Sequence, residues 1–327
     1  MRKVRLTTIN LIVFLVSYSF ICHGTNKNND DNDKEKEAVV VISEKLPIAD
    51  PFILCHDDIY YAYGTSTDSG FEVYYSTDLE YWKKSDNPAL HRSDSYGDKW
   101  FWAPEVYYDE AAGKFYLYYS AEEHICVAIS DSPSGPFIQK EKKPMREEKS
   151  IDSSIFVDED GTPYLYFVRF TNGNVIWVAE LERDLITIKE ETLKKCIEVS
   201  QSWEKSLGKV TEGPSIIKKG ETYYLLYSGN DFRSRDYGVG YATSSSPWGP
   251  WIKYEYNPVL QKPEDHLVGT GHGAPFRDRA GNYRYIFHAH SDTASVGSRT
   301  SYITDLSISP EGVLSIGGNI IEPKVVK

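Results

Sequence analysis

From residue 45 onward, apolar and polar positions alternate in short runs broken by turn residues, the two-residue period of half-buried strands. The clearest runs are aromatic and recur along the chain. They are Tyr60-Tyr61-Ala62-Tyr63-Gly64-Thr65, Phe115-Tyr116-Leu117-Tyr118-Tyr119-Ser120, Tyr164-Leu165-Tyr166-Phe167-Val168-Arg169, Tyr223-Tyr224-Leu225-Leu226-Tyr227-Ser228 and Tyr283-Arg284-Tyr285-Ile286-Phe287-His288. Their first residues are 55, 49, 59 and 60 apart. Each follows a polar turn, such as Ala112-Gly113-Lys114 or Asp160-Gly161-Thr162, which is hairpin grammar.

A second motif repeats late in the units, where Val127 to Phe137 resembles Gly240 to Trp251 around a Ser-Pro and a Gly-Pro. A unit of this length holds four short strands, the content of one propeller blade. The pattern predicts an all-β chain, a five-bladed β-propeller forming a single domain over residues 45–327. A two-sheet sandwich would not explain five similar aromatic strands at near-constant spacing. The best helical candidate is Leu185–Ser206, although its Thr and Ile content opposes a helix.

Residues 1–22 break the pattern. Arg2, Lys3 and Arg5 precede an apolar run from Leu11 to Phe20, the layout of an export signal and too short for a membrane span. Cys22 closes the run as a lipoprotein signal would, although Ser19-Phe20-Ile21 is a poor match to one. Residues 23–44 read as a polar, acidic linker. The expectation is an exported protein, periplasmic, extracellular or lipid-anchored, acting as a monomer. Cys55, Cys126 and Cys196 lack paired spacing, so they imply neither a disulfide framework nor a cysteine metal site.

Composition adds two constraints. A net charge of −12 excludes nucleic acid and anionic membranes as partners, since both need a positive field. The 25 Tyr against 13 Phe suit strands and half-wet surfaces.

The strand before each aromatic strand carries the chemistry. In a propeller it lines the central channel. The candidates are Ala49-Asp50-Pro51, Trp102-Ala103-Pro104-Glu105, Ile151-Asp152-Ser153-Ser154, Thr211-Glu212-Gly213-Pro214 and Gly271-His272-Gly273. Each brings an acid or a His, expected at equivalent positions of the repeat, so five polar groups should converge. Two opposed carboxylates serve glycoside hydrolysis, one protonating the leaving oxygen and the other activating water. A third acid nearby raises the donor's pKa.

These strands resemble glycoside hydrolase family 43, which has an early ADP, a central D-x-S-x-F-x-D-x-D-G and a later EGP. Here they stand as Asp50 in ADP, Asp152 opening Asp152-Ser153-Ser154-Ile155-Phe156-Val157-Asp158-Glu159-Asp160-Gly161, and Glu212 opening Glu212-Gly213-Pro214, with Trp102-Ala103-Pro104-Glu105 between. The resemblance spans about residues 45–320. It implies an inverting glycosidase with Asp50 as general base, Glu212 as general acid and Asp152 tuning and orienting Glu212. It also implies an oligo- or polysaccharide substrate from plant cell walls, with no cofactor required. The same resemblance implies that His272 faces an ion, often calcium, in the channel; a satisfied channel histidine is the equal alternative.

For substrate contacts the sequence offers Trp102 and Phe52 as aromatic walls, and Glu105, Arg169 and Arg233 as hydrogen-bonding groups. His288 and His290 share a strand face and read as structural or rim residues; Trp177, Trp248 and Trp251 read as core, and Asp158 and Asp160 as turn residues. The resemblance favours an exo-acting α-L-arabinofuranosidase or β-xylosidase. Alternatives on the same fold are an endo-xylanase, an endo-arabinanase or a galactan exo-hydrolase, and outside the class a non-catalytic glycan-binding propeller. A fructoside-cleaving propeller is disfavoured, because Asp50 follows Ala49 and Glu212 precedes Gly213.

Overall fold

A computed structural model describes residues 43–326, so the leader with Cys22 and nearly all of the linker lie outside the described residues. The fold is the expected five-bladed propeller. Each blade is a sheet built on antiparallel hairpins, with one strand innermost: Ala49–His56, Trp102–Asp109, Ser150–Val157, Thr211–Lys219 and Gly271–Arg277. Each inner strand lies against the next, and the last packs against the first, closing the ring around the channel. The aromatic strands are the second strands, hydrogen-bonded to the inner ones through tight turns.

Burial explains why the second strands are so aromatic. Both of their faces are covered, each by a neighbouring blade, and Tyr63, Tyr118, Tyr119, Tyr166 and Tyr227 are fully buried. Several tyrosines also stitch blade to blade. The Tyr63 hydroxyl donates to the Pro133 carbonyl, that of Tyr118 to Leu185 O at 2.7 Å and that of Tyr166 to Pro247 O at 2.6 Å. The hydroxyl thus satisfies a loop carbonyl while the ring fills the interface.

The blades depart from four strands in two places. Blade 2 has three strands and a single bridge, Ile129 with Ile138, where its fourth would run. Blade 1 is widened by both chain ends: Ser43–Lys45 pairs antiparallel with Lys324–Val326, which pairs parallel with Tyr81–Lys84. The Tyr81–Lys84 edge is therefore paired, and Ser43–Lys45 becomes the outermost strand of the sheet. The Ser43–Lys45 strand begins inside the span expected to be linker.

No α-helix forms at Leu185–Ser206. The segment holds two 3-10 turns, Glu190–Thr192 and Ser202–Lys205, around an edge strand, Lys194–Ile197. Its Ile197 and Ile188 are buried in separate interfaces instead of sharing one helical face. Among the described residues Cys55, Cys126 and Cys196 are free thiols.

Replacing Tyr166 by Phe keeps the ring and strands the Pro247 carbonyl inside the interface of blades 3 and 4. The expected cost is about 1–3 kcal/mol in urea unfolding, with little change in the slope.

Candidate active site

All five inner strands are interrupted at the same place by a β-bulge. The register slips between Ala49 and Phe52, Trp102 and Glu105, Ile151 and Ser154, Glu212 and Ser215, and Gly271 and Ala274. The residue at the bulge is left-handed in every blade: Asp50 (φ 48°), Ala103 (46°), Asp152 (56°), Gly213 (55°) and His272 (37°). For a residue with a Cβ this conformation costs on the order of 1–3 kcal/mol, so the surroundings must enforce it. A bulge re-aims the side chains on either side of it.

This register corrects the expected equivalence of the five polar groups. Asp50, Asp152 and His272 do occupy one position. Glu212 stands one residue before its bulge, and Glu105 two residues after. Glu105 thus shares a level with Phe52, Ser154, Ser215 and Ala274, further along the channel. Its Oε1 lies 3.5 Å from the Ser215 hydroxyl. Burial pushes its carboxyl up to about 8, with the Ser154 and Ser215 hydroxyls opposing.

The bulge amide of each blade is satisfied by the preceding one. His288 Nδ1 accepts from Asp50 N–H at 3.1 Å, Thr65 Oγ1 from Ala103 N–H at 3.0 Å, Ser120 Oγ from Asp152 N–H at 3.0 Å and Ser228 Oγ from His272 N–H at 2.8 Å. All four acceptors sit directly opposite the residue before their own bulge. In blade 3 that place belongs to Val168, paired with Ile151, and Gly213 N–H donates instead to Asp152 Oδ2 at 3.3 Å. The blade 3 aromatic run is therefore one residue out of step with its sequence alignment, which puts Arg169 there. Pro163 opens its second strand at the position Tyr60 and Tyr223 hold in theirs.

Asp50 has the densest partnership. Thr65 Oγ1 donates to its Oδ2 at 2.7 Å and Arg299 to its Oδ1 at 2.8 Å, while His272 Nδ1 lies 3.4 Å from Oδ1. Burial alone would raise its pKa, but the charge of Arg299, with help from His272, His288 and Thr65, holds it well below the usual carboxylate range. Asp50 is a fixed anion. His288, accepting at Nδ1, is neutral; burial first and then Arg299 push its pKa far down.

Glu212 accepts from Tyr237 Oη at 2.7 Å and from Asn174 Nδ2 at 2.8 Å. Burial nevertheless raises its pKa to about 7, Tyr237 and Asn174 opposing and the anionic Asp50 adding to the rise. Asp152 is likewise raised, by burial and then by repulsion from Glu212 and Asp50. Glycine is required twice here. A Cβ on Gly213 would come within 2.9 Å of the His272 ring, and one on Gly271 within 2.4 Å of the Tyr237 ring.

The remaining sequence candidates separate. Phe52, Glu105 and His272 line the channel cavity together with Asp50 and Asp152. Trp102 is partly buried and stacks with the exposed Trp100, ring centroids 5.9 Å apart. Arg169 is already engaged, donating to both oxygens of Glu148 and lying over the Trp177 ring. Arg233 folds onto Asp231 in its own turn. Trp248 and Trp251 pack on the blade 3–4 core as expected. His290 Nε2 donates to the Phe232 carbonyl at 2.8 Å, and His288 is fully buried beside Asp50, the structural one of its two readings. Sequence reasoning missed Arg299, Tyr237, Asn174 and Thr65, and named His288 without its link to Asp50. The recurrent Thr65, Ser120 and Ser228 at strand ends were the available signal.

An ion at His272 finds little from the chain. Calcium takes six to eight oxygens, His272 offers one face to Asp50 and Asp152, and among the described residues no group of three or more His, Cys, Asp or Glu is arranged to hold a metal. An ion there would draw its shell chiefly from water.

The glycosyl hydrolases family 43 profile matches residues 40–314. A crystal structure named endo-1,4-beta-xylanase from Bacteroides thetaiotaomicron VPI-5482 is 56% identical, with TM-score 0.85, covering 88% of this chain and all of that one. A thermostable family-43 glycoside hydrolase is 36% identical, with TM-score 0.77, covering 86% and 95%. Among curated relatives, the beta-D-galactofuranosidase xynD of Aspergillus niger (strain ATCC MYA-4892 / CBS 513.88 / FGSC A1513) is 27% identical over 75% of each chain.

The Arg299–Asp50 pair is directly testable. In Arg299→Gln, carbon-13 NMR titration should show the Asp50 carboxyl pKa rising by about 1–3 units, while Glu212 moves less.

Proposed function

The chain belongs to glycosyl hydrolases family 43, and from that premise we propose that it hydrolyses pentosyl linkages of plant cell-wall polysaccharides with inversion, as an exo-acting α-L-arabinofuranosidase or β-xylosidase. The observation that carries the mechanism is the split in charge between two buried carboxyls: Asp50 clamped as an anion by Arg299 and Thr65, and Glu212 raised to about 7. In this reading Glu212 gives its proton to the glycosidic oxygen as the bond to the anomeric carbon breaks. Asp50 takes a proton from the water that attacks the opposite face of the sugar. Asp152, tied to the amide next to Glu212, keeps a third carboxyl beside the acid and orients it, while the repulsion that adds to the Glu212 rise comes from Asp50. Trp102 supplies an apolar wall for the sugar.

The pentose reading is supported by relatives named beta-xylosidase from Xylanibacter ruminicola and exo-alpha-(1->5)-L-arabinofuranosidase from Cellvibrio japonicus (strain Ueda107). A second reading, endo-xylanase, is favoured by the name of the 56% identical structure. Nitrophenyl arabinofuranoside, xyloside and galactoside assayed beside xylan and arabinan separate them. Exo action releases monosaccharide and cleaves one aryl pentoside; oligosaccharides from xylan with no aryl pentoside cleaved select the endo reading. The export signal at residues 1–22 and action as a monomer complete the proposal, and suit an enzyme working on polymers outside the cell.

Asp50→Ala and Glu212→Ala should each lower kcat/KM by about 10²–10⁴-fold without unfolding the protein. Rates near wild type in both would overturn the assignment of base and acid, whereas a wild-type protein that binds glycan and cleaves no substrate would be a glycan-binding propeller. Proton NMR of the first product should show inverted configuration.

The pH profile follows from the two carboxyls. Activity falls above about 7 as Glu212 loses its proton. On the acid side it persists below the ordinary carboxylate range, because Asp50 stays ionised there. A plot of kcat/KM against pH checks both limbs.

A further inference from the structure

Four blades present a side-chain acceptor to the bulge amide of the next blade, and blade 3 presents Val168. Val168 is fully buried and packs with Leu225 and Tyr227 of blade 4, the blade whose bulge amide lacks the usual acceptor. A buried amide without an acceptor is costly, so Gly213 N–H must find another. It finds Asp152 Oδ2 at 3.3 Å. Gly213 follows Glu212 directly, so this bond ties the Asp152 carboxyl to the backbone beside the Glu212 carboxyl.

We propose that Val168 is a positioning residue: by withholding a hydroxyl where the other blades supply a side-chain acceptor, it reserves the Gly213 amide for Asp152 and so holds Asp152 against Glu212. The inference rests on the reading of Glu212 as acid and Asp152 as its partner, and adds a residue that touches neither substrate nor either carboxyl. Threonine or serine at 168 would restore the fivefold pattern. The hydroxyl would take the Gly213 amide, as Thr65 takes that of Ala103, and Asp152 would be released.

The test compares substrates that differ in their need for an acid. A dinitrophenyl glycoside leaves without protonation, whereas a benzyl glycoside of the same sugar requires it. Val168→Thr should lower the benzyl-to-dinitrophenyl ratio of kcat/KM by about tenfold, a fraction of what general acid catalysis contributes. Val178→Thr, which buries a hydroxyl elsewhere in the same apolar cluster, should leave the ratio unchanged. General loosening of the blade interface would slow both substrates alike. If Val168→Thr fails to fold, the smaller Val168→Ser offers the same acceptor and must give the same fall. An unchanged ratio in a folded Val168 variant, with Asp152→Asn lowering it, overturns the positioning role and leaves the acid assignment standing. An unchanged ratio in Asp152→Asn overturns the assignment of Asp152 and this inference with it.

Discussion

The channel mouth depends on a hydrogen bond made five times between neighbouring blades, from the amide of a left-handed bulge residue to an acceptor. Without a bulge, inner-strand side chains would keep the plain alternation of a strand, one toward the channel and the next into the sheet. The bulge breaks that alternation at the mouth, but it removes an amide from the ladder. Left unpaired and buried, such an amide costs about 1–3 kcal/mol, added to the backbone strain. The acceptor from the preceding blade therefore stabilises the bulge and locks one blade to the next. Pre-organised polar groups and the ring closure come from the same contact.

A fivefold device gives five similar positions, and chemistry needs them to differ. The differences are single residues. At the bulge itself the blades carry Asp, Ala, Asp, Gly and His. In blade 4 the acid moves back one residue, and glycine takes the left-handed place where the His272 ring leaves no room for a Cβ. In blade 5 the acceptor is an imidazole instead of a hydroxyl, and Tyr237 stacks on it, ring centroids 5.8 Å apart. The same tyrosine hydrogen-bonds Glu212, so the group that supports the base's backbone also braces the acid's partner.

How much of this the sequence discloses follows from the range of each interaction. The strands and their order are legible because hairpin pairing is local and the aromatic runs repeat. Asp50, Asp152 and Glu212 are legible because the bulge imposes a local residue choice, Pro after Asp50 and Gly-Pro after Glu212. Arg299 is not: it lies 249 residues from Asp50 and meets it only when blade 5 closes on blade 1. Sequence instead nominated Arg169 and Arg233, whose charges are met by Glu148 and Asp231. The Val168 gap is hidden by a one-residue offset, since Pro163 displaces the aromatic start of its strand. Ser202–Lys205 was hidden differently. Its backbone turn is held by Glu204, fully buried and bonded to Lys253 at 2.6 Å, a contact only blade 4 packing creates.

The division of charge among the three carboxyls is then a matter of donors more than of distance. All three are buried, and in a low-dielectric channel their mutual repulsion disfavours more than one full charge. Among the described residues Arg299 alone carries a permanent positive charge to the set, and it binds Asp50. Burial lowers the pKa of His288 and His272, so the help they give Asp50 is secondary to that of Arg299. Glu212 receives only neutral donors, Tyr237 and Asn174, and Asp152 only a backbone amide. The anion therefore settles on blade 1 and a proton is retained across the channel on the blade 3–4 side. Moving the single guanidinium from Asp50 to the Glu212 side would reverse acid and base without altering a carboxylate. The polarity of the site resides in Arg299, on the third strand of the fifth blade, and not in the acids that the motifs display.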